Sequence, residues 1–278
     1  MAELFSYKLT PEEYQRLADF IYRDTGLRYP EEKRYFLDRR VEKRMKDLGM
    51  LSFNQYLNYL KGSPAGGELQ ALINAITVNE TYFFRDYGQL KCFAEEVLPL
   101  ILKELSPAAV KVWSAGCSTG EEPYTLAIIL REMLGGTGTG FEVHATDIDT
   151  GALAAAQAGV YGERSVKDVP HAYLNRYFDR TAGGYAVRPE IKKHVKFYRL
   201  NLSSPGEMAA MSGFHAIFCR NVLIYFDDRS RRVAAESFYR ALVPGGYIFL
   251  GHSEFMGRIS SLFAVRRFKW GIVYQKEK

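Results

Sequence analysis

The sequence predicts an α/β fold with a mostly parallel, Rossmann-like sheet, preceded by an all-helical region and interrupted by a small antiparallel β-insertion. Three observations predict it. Val110–Trp113 is a β-forming run that passes through the small-residue turn Ser114-Ala-Gly-Cys-Ser-Thr-Gly120 and opens a helix at Glu121-Glu122-Pro123, Pro and acids being favoured in a first helical turn. The next strand, Phe141–Asp149, ends in acids, with Asp147 lying 26 residues after Glu121. In nucleotide-type sheets an acid at that place binds ribose hydroxyls. Strand-like and helix-like stretches then alternate toward the C-terminus, whereas the first 75 or so residues carry only the helical period.

The turn after the first strand limits its ligand. Its glycines, Gly116 and Gly120, match neither the dinucleotide nor the triphosphate fingerprint, and two glutamates stand where a phosphate-binding Lys would follow. Carboxylates at a helix N-terminus repel a di- or triphosphate and suit a cation. S-adenosylmethionine fits that description: an adenosine, a sulfonium and an α-amine, with no phosphate. An ordinary glycine turn followed by acids that complement a helix dipole is the plainer alternative.

Composition narrows the class. The 278 residues, 47% hydrophobic and 25% charged, suffice for one large domain with a small companion. No apolar run approaches the roughly 18 residues of a membrane span, and no signal-peptide pattern opens the chain. The three cysteines form no C-x-x-C and leave an odd thiol, which suits a reducing cytoplasm. Histidines are scattered without metal spacing, so no metal is expected. A net charge of +5, without a basic stripe interleaved with stacking aromatics, argues against nucleic acid.

In order along the chain, Thr10-Pro-Glu-Glu13 is a helix start with a capping-box pattern, and Tyr14, Leu17, Ala18 and Ile21 continue an apolar stripe to Gly26. A second helix is predicted over about Glu31–Leu48, its apolar positions Leu37, Val41, Met45 and Leu48 following the helical period. From Arg28 to Asp47 there are eight basic and five acidic residues. Arg39, Lys43 and Lys46 fall opposite the apolar stripe, with Arg40 and Arg44 toward one edge. Those cations are either a solvated face or a docking surface for an acidic partner. A third helix over Ser52–Leu60, a loop over Gly62–Gly67 and a helix over Glu68–Ile76 lead toward the second domain. Asn79-Glu-Thr-Tyr-Phe-Phe-Arg-Asp86 follows. Phe83 and Phe84 read as packing, while Asn79, Thr81 and Arg85 read as donors for an anionic group such as a substrate carboxylate. A helix over Tyr87–Leu105 leads into the first strand.

Beyond Asp149 a short helix, Ala152–Ala158, ends at Gly159. The segment from Tyr161 to His194 breaks the alternation, and Gly183-Gly184 reads as the turn of a hairpin within it. Strands at Val195–Asn201, His215–Cys219 and Tyr247–Gly251, a helix over Arg229–Leu242 and a closing hairpin of Phe263–Phe268 with Ile272–Gln275 complete the sheet. Cys219-Arg-Asn-Val-Leu-Ile-Tyr-Phe-Asp227 follows the fourth strand. Ligands in open sheets lie beyond the carboxyl ends of strands, so Asn221 and Tyr225 are placed at the crevice of Gly116 and Asp147; a well-packed loop is the alternative. His252-Ser-Glu254 resembles a hydrolase fragment, but no G-x-S-x-G elbow accompanies it.

Taken together, Asn79–Arg85, Trp113–Tyr124, Ala145–Asp149, Asn201-Leu202 and Cys219–Asp227 resemble the CheR family over nearly the whole chain. Members of that family transfer a methyl group from S-adenosylmethionine to glutamates of bacterial chemoreceptors. The resemblance implies cofactor contacts at Asn79, Thr81, Arg85, Glu122, Asp147, Asn201, Leu202, Asn221 and Val222, with Glu122 taken rather than Glu121. It implies S-adenosylhomocysteine as product, the helical bundle of methyl-accepting chemoreceptors as partner, and docking through Arg39, Arg40, Lys43, Arg44 and Lys46. It divides the chain into a receptor-docking domain, residues 1–75, and a methyltransferase domain, 76–278, with a β-subdomain inserted at about 161–194. The short hairpin turn predicts independence from the receptor C-terminal tethering peptide that some members bind. A monomer is the default.

The chemistry agrees with that expectation. A glutamate carboxylate is already ionised and nucleophilic at neutral pH, and a sulfonium leaves readily. In-line displacement therefore needs alignment and a preorganised site rather than a strong base. Arg85, holding the substrate carboxylate, and Tyr225, bordering the transferred methyl, are the expected catalytic groups. Two other readings stand beside this one: a methyltransferase with another acceptor, and a CheR-like cofactor-binding regulatory module. An NAD dehydrogenase is remote, because the dinucleotide fingerprint is missing.

Overall fold

The computed structural model describes residues 7–62 and 67–278. The chain divides into two compact units, one of residues up to Val78 together with Tyr225–Asp227, the other of Asn79–Ile224 and Asp228–Lys278.

The first unit is helical: α1 (Pro11–Thr25), α2 (Arg34–Asp47), α3 (Phe53–Gly62) and α4 (Gly67–Ile76). Its α1 begins with the capping box, Thr10 and Glu13 each bonding the other's main-chain N–H, and ends at Gly26 with φ 70°. Residues Glu31–Lys33 form a 3₁₀ turn behind Pro30 instead of joining α2, a common tightening at helix starts. Leu17, Ile21, Leu37, Val41, Met45, Phe53, Tyr56 and Ile76 form the buried interior. A buried carboxylate, Glu68, takes both Arg44 Nε (3.0 Å) and Nη2 (2.6 Å) and also the Tyr56 hydroxyl (3.0 Å). The loop predicted at Gly62–Gly67 falls largely on residues 63–66, outside the described residues.

The second unit opens with α5 (Tyr87–Lys91), a π-helical turn over Cys92–Val97 and α6 (Leu98–Leu105). The sequence predicted one unbroken helix here. Pro99 has no N–H to give Glu95 and its ring crowds that carbonyl, so the preceding turn widens and Leu98 N–H bonds Phe93 O, five residues back. Then come β1 (Ala109–Ala115), α7 (Glu121–Leu134), β2 (Gly140–Asp147), α8 (Thr150–Ala158), β3 (Val160–Tyr161), α9 (Glu163–Val166) and α10 (His171–Tyr177). They are followed by β4 (Phe178–Thr181), β5 (Gly184–Val187), α11 (Pro189–Lys192), β6 (Val195–Arg199), α12 (Pro205–Met208), β7 (Phe214–Cys219), α13 (Asp228–Ala241), β8 (Leu242–Leu250), β9 (Ala264–Arg267) and β10 (Ile272–Gln275).

Seven strands form one sheet in the order β6-β2-β1-β7-β8-β10-β9. The five from β6 to β8 are parallel, and β10 pairs antiparallel with both β8 and β9. Apolar residues cover both faces, as a parallel sheet requires. Phe218 and Phe249 stack at 4.4 Å, and Trp113 packs between Phe214 and Phe238 while giving its indole N–H to Thr146 Oγ1. A separate three-stranded sheet, β3-β5-β4, is antiparallel. Its hairpin turn is Ala182-Gly183, one residue earlier than expected, because Gly184 already pairs with Thr181. Gly184 has φ 119°, and a Cβ there would lie 2.2 Å from Tyr161 O, so only glycine fits. No described helix is long and apolar enough to cross a membrane. All three cysteines are free and buried.

Candidate active site

The strand order places a topological switch point between β1, which leads outward to β2 and β6, and β7, which leads the other way to β8. Ligands of open sheets bind at that point, beyond the carboxyl ends of the strands. Two turns line it, Gly116–Gly120 after β1 and Arg220–Ile224 after β7.

The first turn is pinned to β2. Gly116 and Cys117 N–H both reach Thr146 O, at 2.8 and 2.9 Å. Asp147 accepts the Ser118 N–H through Oδ2 (2.7 Å) and the Asp149 N–H through Oδ1 (2.9 Å). Burial pushes its pKa up, and those main-chain donors oppose the rise. Each oxygen keeps accepting capacity for a hydroxyl. Asn79 closes the arrangement: Ser118 Oγ donates to its Oδ1 (2.8 Å), and its Nδ2 donates to Asp149 Oδ2 (2.8 Å). Asp149 also caps α8 through the Ala152 N–H. Leu200 N–H bonds Asp147 O, which sets the buried Asn201 and Leu202 beside the end of β2.

The adjacent acids of α7 diverge. Glu121 is buried and takes the Thr119 hydroxyl (2.6 Å); burial raises its pKa. Glu122 takes the Ser114 hydroxyl (2.7 Å) and lies 3.6 Å from Arg220 Nε. Burial raises its pKa too, opposed first by the Arg220 charge. The buried Arg220 also donates through Nη2 to Arg85 O (2.7 Å) and Asp86 Oδ2 (3.1 Å). Arg85 sits between two left-handed residues, Phe84 (φ 58°) and Asp86 (φ 56°), and its Nη1 holds Glu80 O at 2.7 Å. Thr81 is half-buried in the same segment.

After β7, Asn221 is left-handed (φ 60°), and its buried Oδ1 has no hydrogen-bond donor among the described residues. Val222 packs on the first turn, where a Cβ on Gly116 would lie 2.4 Å from Val222 Cγ2. Asn79, Arg85, Glu122, Asp147, Asn221 and Val222 thus belong to one connected network. Tyr225 groups with the helical unit instead: its carbonyl accepts the Arg28 N–H, and Lys33 Nζ stands 5.9 Å from its ring. Sequence reasoning gave no role to Arg220 or Ser114, although both lie within the motifs it quoted. In the helical unit Arg39, Lys43 and Lys46 are exposed, while Arg40 lies over Phe36 (3.7 Å) and Arg44 is held by Glu68.

These residues fit S-adenosylmethionine. The turn offers carboxylates and a glycine backbone rather than a phosphate cradle, and the buried Asn221 Oδ1 is an acceptor awaiting a donor. Among the described residues no group of His, Cys, Asp and Glu could hold a metal ion. A Rossmann-like sheet with that crevice, an antiparallel insertion and a helical unit ahead of it defines an S-adenosylmethionine-dependent methyltransferase. The chain belongs to the CheR family: residues 79–272 match the CheR methyltransferase SAM binding domain, and 12–77 the CheR methyltransferase all-alpha domain. It is 45% identical over 270 residues to chemotaxis protein methyltransferase 2 of Vibrio cholerae, covering 96% of this chain and 94% of that one. The chemotaxis protein methyltransferases of Klebsiella aerogenes and Escherichia coli are 37% and 35% identical over 262 residues, covering 93% of this chain and 88% and 89% of theirs.

Proposed function

We propose that this enzyme transfers a methyl group from S-adenosylmethionine to glutamate side chains of bacterial chemoreceptors, giving glutamate methyl esters and S-adenosylhomocysteine. The observation that carries the reading is the pair of turns at the switch point, built with acids and an unpaired amide oxygen, in a chain of the CheR family. The cofactor, when bound, supplies an activated methyl on a cationic sulfur. In this reading Asp147 accepts from ribose hydroxyls, Glu122 favours the cofactor's positive charge, and Asn79, Thr81, Asn201, Leu202, Asn221 and Val222 complete the pocket. Arg85 orients the incoming carboxylate. Orientation is the main task, because an ionised carboxylate needs no base. Arg85→Ala should cut kcat by about 100-fold; near-normal turnover would remove it from the mechanism.

The decisive assay is methyl transfer from radiolabelled S-adenosylmethionine to receptor-containing bacterial membranes, read as base-labile methanol. Label stable to base, or none in the presence of cofactor binding, would point to another acceptor or a regulatory module.

For the receptor, the docking surface narrows to Arg39, Lys43 and Lys46, since Arg40 and Arg44 serve the unit's own interior. The Lys43–Asp47 pair is exposed and easily exchanged for a partner's carboxylate. Methylation should slow as salt rises, and a flat response would argue against charge-guided docking. The two-residue β4–β5 turn supports independence from a receptor tail peptide; micromolar or tighter binding of such a peptide would overturn it. We assign the enzyme to the cytoplasm, where the receptor bundle lies, as a monomer that binds no nucleic acid.

A further inference from the structure

His252-Ser-Glu254 stood out in the sequence and has no part in the reaction described above. Glu254 is 9% exposed and lies just past β8. It has no cation within ion-pair distance among the described residues; main-chain amides surround it instead. Oε2 accepts the N–H groups of Gly251 (2.7 Å) and Asn221 (2.9 Å), and Oε1 those of Val222 (3.0 Å) and Ile224 (3.2 Å). Three of these four donors belong to the turn after β7. A carboxylate is the side chain suited to this, because only it offers acceptors alone on both oxygens. Hydrogen bonds to an ionised acceptor are also the stronger kind.

The surroundings are shaped around that clamp. A Cβ on Gly251 would lie 2.8 Å from Glu254 Oε2 and 2.9 Å from Asn221 N, so glycine is what allows the carboxylate to approach. Asn221 is held left-handed, which an isolated Asn adopts only at a cost, and Val222 is seated on Gly116. We propose that Glu254 is the positioning residue of the cofactor pocket. It fixes the Asn221–Val222 turn against the Gly116 turn, so that the Asn221 amide oxygen and the Val222 side chain stand ready before the cofactor arrives. This rests on the assignment of Asn221 and Val222 to the pocket.

Glu254→Gln keeps the size and turns one acceptor into a donor that opposes main-chain N–H groups. In the full-length protein it should weaken S-adenosylhomocysteine binding by calorimetry, and raise the KM for S-adenosylmethionine, by about tenfold. At saturating cofactor kcat should stay within about threefold of the parent, since the reacting groups are untouched. Asn221→Ala is titrated in parallel. If Glu254→Gln binds normally and Asn221→Ala does not, the positioning role fails and the pocket assignment survives. If both bind normally, the pocket assignment itself fails. Hydrogen exchange on the unmutated, cofactor-free protein decides the matter even if the variants fold poorly. The Asn221, Val222 and Ile224 amides should be protected before any ligand is added, and rapid exchange there would overturn the proposal.

Discussion

The turns after β1 and β7 meet where Val222 packs on Gly116, but are held by different means. The first is shaped by its glycines, Gly116 and Gly120 at φ of 80° and 96°, and is pinned to the neighbouring strand, where Thr146 O and the Asp147 carboxylate take its amides. The second has no glycine and is held by side chains from elsewhere, with Glu254 collecting its amides and Arg220 tying its start to Arg85 and Asp86. A glycine turn is disturbed most directly by adding a Cβ. A side-chain clamp can be loosened by one atom, or by a change of protonation near it.

The largest effect is therefore expected at Gly116. Gly116→Ala places a Cβ 2.4 Å from Val222 Cγ2 on a backbone at φ 80°. Left-handed strain and overpacking together should cost about 2–4 kcal/mol. Val222→Ala in the same chain should return the overpacking share, about 1 kcal/mol or more, and leave the strain. Denaturant unfolding of both singles and the double would measure it. Strict additivity would mean that the two turns are not coupled through this contact.

An intermediate effect belongs to Arg220, whose guanidinium lies between Glu122 and Asp86. Burial raises the Glu122 pKa and Arg220 is the first group opposing it. In Arg220→Met the pKa rises further, so as pH falls Glu122 becomes neutral sooner and ceases to attract a cationic cofactor. S-adenosylmethionine affinity should then begin to fall at a higher pH in the variant than in the parent as the solution is acidified. Parallel pH profiles would show that Arg220 acts on the Arg85–Asp86 segment alone.

The same contrast explains what could be read without coordinates. Gly116, Gly120 and Asp147 were legible because a glycine turn and an acid-ended strand are local patterns with few other meanings. Glu254 was not, because its partners in the turn lie 30 to 33 residues away and its neighbours suggested a hydrolase. Arg220 stood inside a recognised motif, yet its partner Asp86 is 134 residues distant. Arg44 looked like one more surface cation until Glu68, 24 residues on, was found buried beneath it. Local chain geometry is written in residue type and spacing; the pairing of distant charges depends on the fold.

The smallest effect is expected at Glu142, a carboxylate held by cations rather than amides. Lys196 Nζ (2.6 Å) and Lys111 Nζ (3.1 Å) flank it, His144, whose pKa burial lowers, stands 3.4 Å away, and Lys196 leads in lowering the Glu142 pKa to about 2. A carboxylate depressed in the folded state contributes stability above its unfolded pKa and loses it as pH falls through the folded value. The contribution should therefore be complete above about pH 4.5 and disappear toward about pH 2. Both lysines are largely exposed, so the gain at neutral pH should stay within about 1 kcal/mol per pair and shrink with salt. Glu142→Gln should flatten that part of the acid-unfolding curve and remove its salt dependence. An equal slope in parent and variant would show that the cluster contributes nothing to acid stability.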